Sequence, residues 1–197
     1  MDPPAKGKIV ATYDYVDEKG SLLYQIVRYD PKFFWDRRPD GSGGWIWNLG
    51  NVRLVLYRLS EVVKAETVLI FEGEKDVDTA YRAGLPAGFA ATSSPLGAGQ
   101  WRSEYSESLR GKRVIICPDN DKAGMGHMKQ VIRDLTGKAA EIRRIVLPGS
   151  VKDFSEWVEA GAAHGQFTDL VRQAETINYE QMREAGLGKE KVAGRVL

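Results

Sequence analysis

Two short apolar runs that pass straight into carboxylates constrain this chain more than any other feature. Thr67-Val68-Leu69-Ile70-Phe71 leads into Glu72-Gly73-Glu74-Lys75-Asp76, and Val114-Ile115-Ile116-Cys117-Pro118 leads into Asp119-Asn120-Asp121-Lys122-Ala123-Gly124. A continuous run of this length reads as a strand covered on both faces, the habit of parallel strands with helices on either side. Between and after the runs the pattern is helical. A helix is expected up to Ala83, with Gly84 at its carboxyl cap. Another is expected over about 124–135, where Met128, Val131, Ile132 and Leu135 share a face. Shorter strands are expected near Gly88–Ala91 and Ile142–Leu147, with a glycine-rich loop from Ser93 to Gly99 and a short helix around Glu104–Leu109. Strand and helix in alternation predict an α/β fold with a doubly wound, mainly parallel sheet.

The first 64 or so residues read differently, as a small β-rich lobe. Lys8–Tyr15 and Leu22–Tyr29 form a hairpin around Asp17-Glu18-Lys19-Gly20. A loop with basic and aromatic residues follows, carrying Lys32, Phe33, Phe34, Trp35, Arg37 and Arg38, and then a short strand through Trp45 and Trp47. The expected organisation is a lobe over 1–64, an α/β domain over 65–165, and a carboxy-terminal helix with a mobile tail over 166–197. The tail, from about Tyr179, is charged, weakly periodic and glycine-containing.

Ligands in open α/β sheets bind beyond the carboxyl ends of the strands. Adjacent strands lie about 4.8 Å apart, so if the two runs are neighbours, Glu72, Asp119 and Asp121 converge on a space of metal-ion size. Carboxylates that close raise one another's pKa unless a cation sits between them. Oxygen-only ligation suits Mg²⁺ or Mn²⁺ rather than zinc. Each acid also has a plainer role. Asp76 fits the first turn of a helix, favoured by the dipole. Asp153 opens Asp153-Phe154-Ser155-Glu156, a capping-box spacing. A calcium loop at Asp119-x-Asp121 fails, because its twelfth position is Gln130.

Composition removes several classes. With 28 basic and 27 acidic residues the formal charge is +1, which is not the balance of a protein that coats nucleic acid unspecifically. One cysteine, Cys117, lies inside an apolar run and excludes cysteine zinc sites. No stretch approaches the ~18 apolar residues of a membrane span, and Met1-Asp2-Pro3-Pro4 is no signal peptide. We therefore expect no membrane partner and a cytoplasmic setting.

At these residues the chain resembles a known family. Residues from about 66 to 161 look like a Toprim domain, the catalytic fold of bacterial-type primases, topoisomerases and some nucleases. Glu72-Gly73 followed by Asp76 resembles the family's glutamate motif, and Asp119-Asn120-Asp121 with the small residues after it resembles its Asp-x-Asp motif. Lys152-Asp153-Phe154-Ser155-Glu156-Trp157 resembles the later acidic motif of phage and plasmid primase-helicases. Before it, Tyr29-Asp30-Pro31-Lys32, Arg37-Arg38-Pro39-Asp40-Gly41 and Trp45-Ile46-Trp47-Asn48-Leu49 resemble the segment that precedes Toprim in phage and mobile-element primases.

The resemblance implies a metal-dependent enzyme acting on nucleic-acid phosphates, first of all a primase-like nucleotidyltransferase making primers on single-stranded DNA. Glu72 would be the acid or base, with Asp119, Asp121, Glu72, Asp76 and Asp153 around Mg²⁺ or Mn²⁺. Lys32, Arg37 and Arg38 would meet phosphates, Trp45 would stack on a base, and Lys75 would meet a phosphate beside the acidic motif. A Trp pair at period two also fits a packed core, and Lys75 also fits a surface ion pair. Expected partners are single-stranded DNA, nucleoside triphosphates and a replicative helicase. The alternatives are a Toprim nuclease and a non-catalytic module that binds nucleic acid or a helicase. No Gly-x4-Gly-Lys-Ser/Thr loop is present for an ATPase, which implies either the core of a longer protein or a stand-alone Toprim protein.

Overall fold

In the computed structural model, which describes residues 7–97, 99–162 and 164–177, β1 (Lys8–Val16) and β2 (Leu22–Asp30) form the hairpin read from the sequence. The Asp17 carboxylate closes its turn by accepting from the backbone N–H groups of Lys19 and Ser21 at 2.9 and 2.8 Å, the behaviour that makes Asp a turn former. Alternation then sends Tyr13 and Tyr15 inward, and Tyr15 stacks on Tyr24 of β2 with ring centroids 4.6 Å apart.

The segment expected as a basic, aromatic loop is instead a third strand, β3 (Phe33–Pro39), antiparallel to β2 with Val27 opposite Trp35 and Ile26 opposite Asp36. Charges and rings are mixed on both of its faces, so it shows no apolar/polar alternation in the sequence. A two-residue β4 (Trp45–Ile46) completes the sheet in the order β1-β2-β3-β4. One face, through Tyr13, Tyr15, Tyr24 and Ile26, joins the main core without a break, while the other carries a small separate cluster of Val27, Tyr29 and Trp47 with Trp35 against it.

After the short α1 (Leu59–Val62), strand and helix alternate as β5 (Thr67–Ile70), α2 (Glu74–Ala83), β6 (Phe89–Thr92), α3 (Ser103–Glu107), β7 (Arg113–Ile116), α4 (Lys122–Leu135) and β8 (Glu141–Arg144). Then come α5 (Phe154–Glu159), α6 (His164–Arg172) and β9 (Glu175–Thr176). Gly84 ends α2 with φ 91°, a left-handed value that favours glycine, as its position predicts. The second sheet runs β6-β5-β7-β8-β9, with the first four strands parallel and β9 antiparallel. All four residues of β5 are buried, which explains the apolar run Val68-Leu69-Ile70, while the hydroxyl of Thr67 accepts from Arg113 Nε at 3.0 Å.

Chain order reverses between β5 and β7: β6 lies on one side of β5, and β7 and β8 lie on the other. That is a topological switch point, where the connections leave in opposite directions and open a crevice beyond the strand ends. Glu72 follows β5 and Asp119 follows β7, so both acids stand at this crevice. Among the described residues no helix is long and apolar enough to cross a membrane. The tail from about Tyr179 lies outside the described residues.

Candidate active site

The two acidic motifs touch. The Asp119 backbone N–H donates to Glu72 Oε1 at 3.0 Å, a contact set by the β5–β7 register, in which Ile70 sits opposite Ile116. Asp121 caps α4, its Oδ1 accepting from the Gly124 N–H at 2.9 Å. Asn120 fastens this loop to the next acidic segment: its N–H donates to the Lys152 carbonyl at 2.7 Å, and its side-chain amide donates to the Val151 carbonyl at 2.8 Å. Asp153 follows directly and caps α5 by accepting from the Glu156 N–H at 2.8 Å. The capping role read for Asp153 is therefore realised.

Asp76 is more than a dipole residue. It lies in the first turn of α2 and is 8 % exposed. Its Oδ1 accepts from both the N–H and the hydroxyl of Ser155, at 2.8 and 2.5 Å, pinning α5 to α2. Phe154 beside it packs on Phe71, Trp157 and Phe167 at 4.9–5.6 Å between ring centroids. The acidic loops thus rest on a rigid aromatic base.

These carboxylates perturb one another. Burial raises the Asp119 carboxyl to about 7, with Glu72, Asp76 and Asp153 adding to the rise and Lys152 opposing it. Burial likewise raises Glu72, opposed by the Asp119 N–H and reinforced by Asp121 and Asp76. Asp76 is raised by burial against its Ser155 hydrogen bonds. Three neighbouring carboxylates that resist ionisation, Asp119, Glu72 and Asp76, are the chemistry of a hard divalent-cation site. The side chains do not stand as a finished cage, since among the described residues no three potential ligands are grouped closely enough to hold an ion. Glu72, Asp121, Asp76 and Asp153 each spend an oxygen on a backbone N–H.

The sign of a pH effect follows. With its proton held to about pH 7 in the fold against a usual value of 3.8, Asp119 binds that proton more tightly folded than unfolded. Its contribution to stability is fully present below about pH 4 and is lost as pH rises towards 7. In chelator, Asp119→Asn should therefore gain thermal stability relative to the parent as pH goes from 5 to 8. Mg²⁺ should raise the parent's melting temperature more at pH 8 than at pH 5. Melting curves in both buffers check this.

Beside the acids a cleft of about 470 Å³ opens between the two sheets. Ile26, Phe34 and Asp36 line it from the lobe, and Glu72, Glu74 and Leu96 from the α/β domain. A larger hollow of about 840 Å³, bordered by Lys64 and Lys112, lies at the opposite, amino-terminal ends of the strands, away from the acids. Volume alone does not mark the site. Tyr15 donates to Glu74 Oε1 at 2.7 Å and so ties the lobe to the first turn of α2. Sequence reasoning passed over Asp36, Glu74 and Tyr15. The period-two pair Phe34 and Asp36 was the available signal, and it was hidden by reading that segment as a loop.

The expected nucleic-acid residues are dispersed. Arg37 lies on the sheet face opposite the cleft, its guanidinium 4.0 Å from the Trp45 ring centroid and 5.2 Å from that of Trp47, and its Nε donates to Gln25 at 2.6 Å. Arg38, on the alternate face, lies against Gly50. Lys32 is exposed. Lys75 ion-pairs with Glu159 of α5 at 2.8 Å on the surface.

Residues 69–158 match the family model described as Toprim-like, and no curated protein sequence matches the chain. Solved structures match in fold. The Aquifex aeolicus primase (zinc-binding and RNA polymerase domains) is 17 % identical with a TM-score of 0.65, over 89 % of this chain and 42 % of that one. The E. coli primase catalytic core is 18 % identical with a TM-score of 0.63, over 88 % and 56 %. A DnaG primase catalytic domain bound to single-stranded DNA is 20 % identical with a TM-score of 0.60, over 84 % and 53 %. This chain spans about half the length of those chains, and identities of this size establish a shared fold.

Proposed function

We propose that this chain, whose residues 69–158 match the Toprim-like family model, is the catalytic core of a primase-like nucleotidyltransferase, extending primers on single-stranded DNA from nucleoside triphosphates. One observation carries this reading above the nuclease alternative. The likeness to primase cores covers 88–89 % of the chain, which takes in the amino-terminal sheet as well as the Toprim-like domain. A metal site in the Toprim-like part alone would leave that sheet unexplained.

Asp119 and Asp121 hold the metal in this scheme, with Asp76 and Asp153 positioning the loops around them. Mg²⁺ or Mn²⁺ bound there supplies neutralisation of triphosphate charge and stabilises the charge that develops at phosphorus. Glu72, whose carboxyl is raised by burial and by its acidic neighbours, exchanges a proton with the attacking hydroxyl. The hydrogen bond from Asp119 N–H leaves Glu72 Oε2 as the atom for that exchange. Lys32 and Arg38 are the lobe's candidates for backbone phosphates, whereas Arg37 braces Trp45. A replicative helicase remains the candidate protein partner.

Incubating the full chain with single-stranded DNA, nucleoside triphosphates and Mg²⁺ or Mn²⁺ tests the reading. Oligonucleotide synthesis supports it. Shortened DNA favours the nuclease, and a mobility shift without reaction favours the binding module. Asp119→Asn with Asp121→Asn should abolish Mn²⁺ binding by calorimetry, because buried paired carboxylates are what a hard cation needs. The asparagine retains a carbonyl oxygen to cap α4, so the melting curve should stay cooperative. Undiminished Mn²⁺ affinity in that folded variant would exclude this site.

A further inference from the structure

The cleft beside Glu72 changes character on the side of the amino-terminal lobe. Phe34 and Leu96, both lining it, are 41 % and 45 % exposed and so present apolar surface to the cleft. Leu96 is held there by a left-handed backbone, φ 68°, a conformation that L residues other than Asn and Asp seldom adopt. Such outliers cluster at ligand clamps. Asp36 stands two residues beyond Phe34 on the same strand face, and both line the same space. Burial raises its carboxyl, and no opposing charge or donor accompanies that cause. Among the described residues its carboxylate has no hydrogen-bond partner, unlike Glu72, Glu74 and Asp76, which all do.

A half-buried acceptor without a donor, next to an exposed aromatic ring, describes a site waiting for a ligand with a flat apolar part and hydroxyl or amine donors. The volume of about 470 Å³ falls within the ~300–1,000 Å³ of small-molecule sites. Charge sets the orientation. Asp36 and Glu74 repel phosphates from the lobe side of the cleft, while the acidic centre around Asp119 accepts them once a cation is bound. A nucleotide can therefore enter only with its uncharged nucleoside towards the lobe.

We propose that this slot holds the nucleoside of the incoming triphosphate, with the base against Phe34 and Leu96 and the Asp36 carboxylate accepting a hydrogen bond from the ribose 2′-hydroxyl. Asp36 is then the residue that selects ribonucleotides over deoxyribonucleotides. The assignment to the sugar rather than to the base follows from templating: the hydrogen-bonding edge of an incoming base is occupied by the template, which leaves the sugar hydroxyls as free donors. Carboxylates are established acceptors for that hydroxyl in nucleotide sites. The inference rests on the nucleotidyltransferase reading for the placement of the phosphates.

Calorimetric titration of the full chain with ATP, dATP, GTP and dGTP in Mg²⁺ tests it directly. The ribo forms should bind about tenfold more tightly or better, the worth of a hydrogen bond to a charged group. Asp36→Leu, similar in volume but without an acceptor, should bring ribo and deoxy forms together by weakening the former. Asp36→Asn, which keeps one acceptor oxygen, should retain part of the preference and serves if the leucine variant melts early. Phe34→Leu should weaken all four nucleotides by about fivefold or more through lost stacking and leave the sugar ratio unchanged. Equal binding of ribo and deoxy forms by the parent, an unchanged ratio in Asp36→Leu, or no triphosphate binding at all would overturn the slot. Primer synthesis separates the two readings. Synthesis without a sugar preference in binding removes the slot alone. An Asp36-dependent preference without synthesis removes the nucleotidyltransferase alone.

Discussion

Glu72→Gln is expected to lower primer synthesis by about 10² to 10⁴-fold, the usual contribution of a positioned general acid or base, while Mn²⁺ affinity changes far less. The glutamine carbonyl oxygen can still accept from the Asp119 N–H, so the junction between the two acidic motifs survives. What disappears is the ionisable oxygen. The same geometry allows Glu72 to be a metal ligand, and the two roles part in the data. A ligand role predicts that affinity and turnover fall together, whereas a proton-transfer role predicts that turnover falls alone. Calorimetry and single-turnover synthesis on one preparation decide between them. A variant with near-full turnover would exclude the proton-transfer role.

The parts of this molecule that the sequence announces are those where one physical demand acts on every residue of a segment. Val68–Ile70 of β5 and Val114–Ile116 of β7 are buried on both faces, so each of these positions is apolar, and the acids that follow the strands stand out. α4 needs one apolar stripe, and Met128, Val131, Ile132 and Leu135 supply it. β3 faces two different surroundings at once. Phe34 and Asp36 look into a cleft lined by both apolar and acidic residues, while Trp35 and Arg37 look onto an aromatic cluster on the other face. Neither face is simply apolar or simply solvated, so no period shows. The same mixture misplaces Arg37: beside Arg38 it reads as a phosphate contact, yet its guanidinium lies over Trp45 and its Nε serves Gln25.

Within the site, chain order and spacing reveal which acids belong together but not how each spends its oxygens. Asp121 and Asp153 both precede helices, and a capping carboxylate and a metal-binding carboxylate look alike in a sequence. In the structure they cap, with one oxygen each. Capping and ligation are compatible because a carboxylate has two oxygens. Tyr15, which reaches Glu74 across 59 positions of sequence, leaves no local trace at all.

Gly124 tests how tightly the two motifs are fitted together. A Cβ placed there would stand 2.1 Å from Glu72 Oε1, 2.5 Å from the Asp119 carbonyl oxygen and 2.9 Å from the Asp119 nitrogen. The first contact is with the end of a side chain, which can swing away. The other two are with backbone, which must move with the Asp-x-Asp loop. Gly124→Ala should therefore displace both Glu72 and Asp119, although alanine is the better helix former. Stability should fall by about 1–3 kcal/mol, the range for overpacking, and synthesis at least as far as in Glu72→Gln. A double-mutant cycle separates the two effects. Added to Glu72→Gln, the alanine should cost little further turnover through Glu72, yet it should still weaken Mn²⁺ binding through the moved Asp119 loop and still lower the melting temperature. Additive losses of turnover, with Mn²⁺ affinity unchanged, would mean that Gly124 acts apart from the site and that the close packing of Glu72 on the Asp119 loop is not what the reaction depends on.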